Sequence, residues 1–360
     1  MTGHSRPETR RGASMADVAK VAGVSSQTVS RVANDKTNVD HVTRERVLEA
    51  MKEVGYQPNH AARALRTGRF KSIGVIVFTL STFGNMRTLD AITSAAAEVD
   101  HTVTVIRIPD PTTGTVSGAY RRLSEQAVDG VVIIFEAHLL DRAEITLPTD
   151  HPVVVVDSNA GDGYTVVDTD QTTGAREATA HLLDLGHETV WHISGPEASF
   201  SALHRAESWA ETLRERGVTP PPIFVGDWTT DSGYRIGKEI VAQGGVTAVF
   251  AANDQMALGA MTAFHEAGLQ VPGDISVVGF DDMDESKAFW PPLTTVHQDF
   301  AEVGRLCIQS LMLEIETRTH TPGRTLVPTR LVVRDSTAAP KRPAGSVSAS
   351  PVSTGSTSRE

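Results

Sequence analysis

Two kinds of hydrophobic spacing divide this chain. From residue 14 to about 58, apolar residues recur every three or four positions in short runs broken by glycine, the mark of small amphipathic helices. From residue 72, runs of four to six β-branched residues alternate with longer helix-period stretches. SIGVIVFT, TVTVIRI, GVVIIF and PVVVVD form a first strand series; TVWHIS, PIFVG, TAVFAAN, SVVGFD and RLVVR form a second. Such alternation predicts parallel sheets covered by helices on both faces, and two series predict two lobes with a cleft between them. The fold expected is therefore an α/β core of two doubly wound parallel sheets, preceded by a small all-α domain.

Within the head, ADVAKVAGVSSQTVSRVAN reads as helix, turn, helix. Ser14 caps the first helix, and Asp17 three residues on completes a capping box. Val18, Val21 and Ala22 are expected to face inward, Gly23 to end the helix at positive φ, Val24 to pack, and Ser25 to cap the second helix. Val29 and Val32 then lie on the buried side of that helix. Ser26, Gln27, Ser30 and Arg31 occupy the other side, at i, i+1, i+4 and i+5. Glutamine pairs bidentately with adenine and arginine with guanine, so this face carries the chemistry of direct base readout at the spacing of a recognition helix. A third helix is predicted from about Asp40 to Val54, with Val47, Leu48, Met51 and Val54 inward and Gly55 as its stop. A generic three-helix bundle with a polar face would share this pattern.

Charge supports a partition of labour. The whole chain is −11, yet residues 1–71 carry 13 Lys and Arg against 7 Asp and Glu, so a head of +6 precedes a remainder of −17. Phosphate attraction is concentrated in one module. A single cysteine, Cys307, excludes an internal disulfide framework and a cysteine-based metal cage. No apolar run approaches the roughly 20 residues of a membrane span, and the N-terminus has no apolar core of a secretory signal, so a cytoplasmic location is expected.

Open α/β sheets bind ligands beyond the carboxyl ends of their strands. Those ends carry Asp157, Asn253, Asp254, Asp281 and Asp282, groups that exchange hydrogen bonds with hydroxyls. Each could equally be the N-cap of the following helix. No nucleophile elbow, phosphate loop or HExxH is present, and the scattered histidines include no helical metal pair, so no enzyme activity, cofactor or metal is expected.

The literal text is more specific than its pattern. DVAKVAGVSSQTVSRVAN, VTRERVLEAMKEVGYQPNHAARAL, ANDQMALGAM, DISVVGFDD and PPLTTVHQDF closely resemble the LacI/GalR (lactose/galactose repressor) family, to about residue 335. The resemblance implies a periplasmic-binding-protein-like core behind a helix-turn-helix head. By it, Ser26, Gln27 and Arg31 occupy the main base-reading positions, Ser26 being smaller than the aromatic of lactose-type members. Thr28, Ser30, Asn34, Tyr56, Asn59 and Ala62 are further candidate DNA contacts. The segment Asn59–Thr67 is too short to be a stable helix alone. The resemblance makes it a hinge that folds on the operator, with Leu65 wedged into the minor groove. A flexible linker with an incidental leucine is the plainer alternative.

The resemblance also assigns a sugar pocket. Arg205 grips hydroxyls with Trp209 nearby, Asn253 and Asp281 contact the sugar, Trp228 packs against it, and Gln298 and Phe300 lie at the pocket floor. Thr82 replaces a larger apolar residue at the mouth, Phe280 stands where lactose-type members have tyrosine, and the Ile134–Phe135–Glu136 segment departs from their polar pattern. Glu136 and Asp157 complete the candidate set.

The expected organisation is an N-terminal arm at 1–13, a helix-turn-helix domain at 14–58, a hinge at 59–71 and a two-lobed sugar-binding and dimerisation domain at 72–338. Lobe 1 spans about 72–169 and 300–327; lobe 2 spans about 170–297 and 328–338. Rich in Ser, Thr, Pro and Gly after Ser336, the chain is expected to end in a disordered tail at 339–360, with no leucine-heptad helix and hence a homodimer rather than a tetramer. The function expected is a repressor that binds pseudo-palindromic operator DNA as a dimer and is released by a sugar inducer, a galactoside or glucoside foremost. Two alternatives stand beside it. The ligand could be a co-repressor such as a purine, which a ring-stacking aromatic at the pocket mouth would favour and Thr82 does not supply. A solute-binding protein shares the two-lobe design but has no use for the head.

Overall fold

The computed structural model describes residues 13–34, 36–56, 68–109, 113–134, 151–156, 160 and 163–341. The chain forms two compact units, divided between Phe70 and Lys71. Asn59, Ala62, Leu65, Glu136 and Asp157 lie outside the described residues, as do the hinge as far as residue 67 and the tail beyond 341.

In the first unit, α1 spans Met15–Ala22, α2 Ser26–Ala33 and α3 His41–Val54. The Ser14 hydroxyl accepts from Asp17 N at 3.3 Å, and the Asp17 carboxylate accepts from Ser14 N at 2.8 Å. Ser25 and Asp40 cap the next two helices through Thr28 N and Thr43 N. Gly23 and Gly55 close α1 and α3 at φ 65° and 66°, where a Cβ would be strained. Val18, Ala19, Ala22, Val29, Val32, Val47, Ala50 and Met51 form the core. Val21 and Leu48, expected inside, are 46% and 45% exposed. The inward stripes run through Ala19 and Ala50 instead: alanine lets short helices approach closely, so the larger neighbours lie just off the seam.

The second unit contains two sheets. In lobe 1, β1 (Ser72–Val77), β2 (Thr102–Arg107), β3 (Gly130–Ile134), β4 (Val153–Val156), β5 (Thr165–Thr169) and β11 (Gly323–Val327) are all parallel, in the order β11-β5-β4-β3-β1-β2. Their central strands are buried on both faces, which explains the unbroken valine and isoleucine runs. In lobe 2, β6 (Trp191–Ser194), β7 (Phe224–Val225), β8 (Ala248–Ala251) and β9 (Ser276–Val278) form a parallel sheet in the order β7-β6-β8-β9. β10 (Thr295–Gln298) pairs antiparallel with β12 (Thr329–Val332). Single bridges at Val278–Thr294 and Asp281–His297 tie β10 to the end of β9. Helices α4 (Phe83–Glu98), α5 (Thr113–Glu125), α6 (Gln171–Asp184), α7 (Phe200–Glu215), α8 (Thr230–Gln243), α9 (Asp254–Glu266) and α10 (Phe300–Thr317) cover the sheets. The chain crosses between lobes after β5, after β10 and after β11, so Gln171, Gln298 and Thr329 meet near one hinge. Cys307 is buried on α10, and burial pushes its thiol pKa up.

The C-terminal segment corrects an expectation. Residues 339–341, expected to open the disordered tail, are instead ordered, and the chain stays docked on lobe 2 as far as Lys341. Ser336 Oγ accepts from Thr294 N and donates to Val277 O, Thr337 Oγ1 meets His181 Nε2, and Lys341 pairs with Asp274. These are polar contacts, invisible to a search for apolar periodicity.

Lobe 2 also buries His192 completely, stacked 5.3 Å from the Trp209 ring and 4.7 Å from Phe250. Its Nδ1 lies 2.9 Å from Phe250 O and must donate, so the ring is the neutral Nδ1–H tautomer. Burial pushes its pKa down from 6.5 to about 4, with the Arg205 charge acting the same way. Unfolded chain takes this proton below 6.5 and native protein only below about 4, so stability is full above 6.5 and falls as pH drops through that window. The loss is on the order of 3 kcal/mol. Asp254, its carboxyl pushed up to about 6 by burial, works the opposite way between 6 and 3.8. Thermal midpoints from pH 7 to 4 should therefore fall more steeply in wild type than in His192→Phe, where Asp254 acts equally. Parallel curves would show that His192 is not the group that titrates.

Candidate functional site

The exposed face of α2 is built by the helix's own periodicity. Val29 and Val32 are buried, and Ser26, Gln27 and Arg31 are exposed on the side away from them. Thr28, Ser30 and Asn34 are half-buried: Thr28 Oγ1 contacts Ser25 Oγ at 3.0 Å, and Asn34 Nδ2 reaches Ser30 Oγ at 3.3 Å. Tyr56 packs partly against the head's core. Three side chains are thus held ready on a rigid surface, with Thr28, Ser30 and Asn34 supporting the helix that carries them.

In the second unit a cleft of about 570 Å³, its solvent-filled mouth included, lies where strand ends and lobe crossings converge. Of the expected residues, Thr82, Arg205, Trp228, Asn253, Asp281, Gln298 and Phe300 line it. Arg205 organises the interior. Only 4% exposed, it donates from Nε to Gln171 Oε1 at 2.8 Å and from Nη1 to Ala252 O. Its guanidinium sits 3.7 Å over the Phe280 ring and 5.6 Å from that of Trp228. Nη1 lies 3.7 Å from Asp281 Oδ1, which accepts from Gln298 Nε2 at 2.7 Å. Charge is balanced, since one buried cation faces one buried anion.

Asn253 caps α9, its Oδ1 accepting from Met256 N at 2.9 Å, while Nδ2 donates to Trp228 O at 3.0 Å. That contact fixes Trp228 at φ 73°, a left-handed conformation uncommon for a large residue. The indole lies against Gly195, where an added Cβ would come within 2.3 Å of the ring. Trp228 Nε1 is buried and has no hydrogen-bond partner, and the same holds for Thr82 Oγ1. Unsatisfied buried polar atoms are uncommon, and two lining the cleft, one from each lobe, indicate where a ligand's oxygens would bind.

Two strand-end acids do not belong to the cleft. Asp254 is fully buried and accepts from Met283 N, Ser286 Oγ and Thr295 Oγ1, bracing the turn after β9. Asp282 points to His297 Nδ1 and Arg334. Position at a strand end places a residue near a cleft without deciding which way its side chain faces. Trp209 belongs to the core, donating Nε1–H to Val190 O at 2.9 Å.

The cleft also includes residues that the sequence reading missed. Ser201 lies one helical turn before Arg205, a spacing that could have revealed it. Gln171 and Thr169 lie at a lobe crossing and carried no signal. Asn85 and Thr88 follow from the first turns of α4. Phe83 is the most consequential: it supplies the aromatic that Thr82 lacks, packed edge-on against Phe300 with centroids 5.9 Å apart. Among the described residues, no three His, Cys, Asp or Glu side chains are placed to hold a metal, and no helix is long and apolar enough to cross a membrane.

Residues 14–59 match the family model of bacterial regulatory proteins, lacI family, and residues 179–337 match a periplasmic binding protein-like domain. The lactose operon repressor of Escherichia coli (strain K12) is 36% identical over 326 residues, which is 90% of this chain and 90% of that protein. The HTH-type transcriptional repressor PurR of Haemophilus influenzae (strain ATCC 51907 / DSM 11121 / KW20 / Rd) is 33% identical over 308 residues, covering 84% of this chain and 91% of that one. Among solved structures, the lac repressor dimer bound to operator and the anti-inducer ONPF superposes with a TM-score of 0.83 at 34% identity, over 91% of this chain and 100% of that chain. The complex of the transcriptional regulator CelR with cellobiose gives 0.68 at 28% identity, over 90% and 99%.

Proposed function

We propose, from the premise that this chain belongs to the lacI family of bacterial regulatory proteins and is a DNA-binding transcriptional repressor, that it holds a pseudo-palindromic operator as a homodimer and releases it when an uncharged sugar enters the cleft. The observation that carries this reading is the charge-balanced cluster of Arg205, Asp281 and Gln298 beside the unpartnered Trp228 N–H. A sugar presents hydroxyls that both donate and accept, and apolar C–H faces that suit Phe300 and Trp228. An anion would leave Arg205 and Asp281 unequal, whereas a polyol leaves them balanced. Two heads are needed because two half-sites must be addressed together. The hinge at 59–71, with Asn59, Ala62 and Leu65, would transmit the change in lobe arrangement to the DNA. Glu136 and Asp157 stay candidates for the sugar's remaining hydroxyls. The relatives named above are regulators, in keeping with a protein that binds its ligand without transforming it.

Phe83 favours a second reading. Two aromatic rings at the cleft, together with the PurR relatives, would suit a flat purine-like co-repressor that tightens DNA binding. Linkage separates the two. Coupling between sites amounts to about 1–3 kcal/mol and acts in both directions. An in vitro-selected operator should therefore weaken an inducing sugar roughly 5- to 150-fold and strengthen a co-repressor by a similar factor. A thermal-shift screen of mono- and disaccharides and of purine bases, with and without that operator, measures the sign. Equal affinity in both conditions would sink both readings.

A further inference from the structure

Asp281 and Asp282 both adopt positive φ, 110° and 54°. Two consecutive non-glycine residues in this region are costly and persist only where their surroundings over-determine them. One side of the turn is anchored by Asp254, which accepts from Met283 N at 2.9 Å. On the other side the Asp282 carboxylate is gripped at both oxygens. Its Oδ2 lies 2.9 Å from His297 Nδ1, and its Oδ1 accepts from Arg334 Nη2. Arg334 is itself fixed: Nη1 donates to Leu293 O at 2.8 Å and its backbone N donates to Thr294 Oγ1 at 2.9 Å. It belongs to the docked C-terminal segment, outside the cleft lining, and its side chain is 18% exposed.

We infer that Arg334 is a positioning residue for the ligand cleft: by clamping Asp282 against β10 it holds the turn that aims Asp281 at Gln298 and Arg205. The grip acts through one peptide unit. A φ change at Asp282 would swing the Asp281 carboxylate out of line, whereas other contacts of the C-terminal segment touch β9, α6 and residues 292–294 ahead of β10 and do not reach Asp282. The C-terminal segment therefore does more than seal lobe 2. It sets the geometry of the acceptor on which ligand hydroxyls would compete. The claim concerns cleft shape and rests on the proposed function only in making that cleft the effector site.

Crystal structures of the ligand-free full chain carrying Arg334→Met, Arg334→Lys and Ser336→Ala test it. In Arg334→Met the Asp281 carboxylate should lose its hydrogen bond to Gln298 Nε2 and Asp282 should leave positive φ. Arg334→Lys, which can still reach Asp282, should restore both. Ser336→Ala removes the segment's bonds to Val277 and Thr294 without touching Asp282, and should leave Asp281 in place even if its melting temperature falls as far. An unchanged turn in Arg334→Met overturns the inference, as does an equal displacement in Ser336→Ala, which would make the effect general loosening. If Arg334→Met does not fold, Asp282→Ala addresses the same grip from the other side, with the same displacement expected and an unmoved Asp281 equally fatal. Because no ligand is used, failure here is distinct from failure to find a sugar that binds.

Discussion

Asp281→Ala should yield a repressor that still binds its operator and no longer answers its effector. Asp281 is 6% exposed, accepts from Gln298 Nε2 at 2.7 Å and lies 3.7 Å from Arg205 Nη1. Removing it takes away a charge-assisted acceptor, a contact of about 1.5–3 kcal/mol that corresponds to roughly 10- to 150-fold in effector affinity. It also leaves Arg205 as a buried cation without its anion, and breaking a buried pair costs about 3–5 kcal/mol. Part of that cost falls on stability, so melting temperature must be measured beside binding. Asp281→Asn separates the terms: asparagine tolerates positive φ and keeps an acceptor, so it should bind effector better than the alanine variant. Calorimetric titration with the sugar identified by the screen, and release of labelled operator by the same sugar, are the measurements. An alanine variant released at the wild-type effector concentration would remove Asp281 from the site.

How far such a site can be read from sequence depends on what kind of force places each residue. Ser14 with Asp17, and Ser25, announce helix starts by local chemistry, and the structure has them capping where their spacing says. The valine runs of β1, β3 and β4 announce buried strands because burial on both faces permits no polar interruption. β5, β10 and β11 escape that reading for the converse reason: TVVDT, TVHQ and GRTLV are interrupted by polar residues, and β11 lies at the sheet edge, so no apolar run marks them. In the cleft, Asn253 and Asp281 are legible from strand-end logic joined to family likeness, and Arg205, on α7, from family likeness alone. That logic equally selects Asp254 and Asp282, which the structure turns into braces. Direction is decided by tertiary partners such as Ser286, Thr295 and Arg334, which are distant in sequence. Gln171 and Thr169 enter through the lobe crossing, a feature of topology and not of any local pattern.

Arg31→Ala should cost operator affinity heavily while sparing the effector. Arg31 is exposed on α2, a helix capped by Ser25 and seated on Val29 and Val32, so truncation removes a reaching side chain without disturbing the head's core. A bidentate arginine–guanine pair contributes about 1–3 kcal/mol of discrimination, and a dimer uses it twice, so the loss should be roughly 2–6 kcal/mol, about 30-fold to more than ten-thousandfold. Fluorescence anisotropy against an in vitro-selected operator and a scrambled duplex, both at one fixed salt concentration, measures it. A base reader loses affinity for the operator and little for the scrambled duplex; equal loss on both would reassign Arg31 to phosphate contact. The companion Gln27→Ala should relax preference at a different base pair, because its side chain leaves the helix a turn earlier. Ser26 completes the contrast. Its hydroxyl is short and can donate or accept, so it tolerates more than one base, and enlarging it should narrow the set of sequences selected rather than abolish binding. Effector titrations of Arg31→Ala should match wild type in the absence of DNA, since the head and the body are separate compact units.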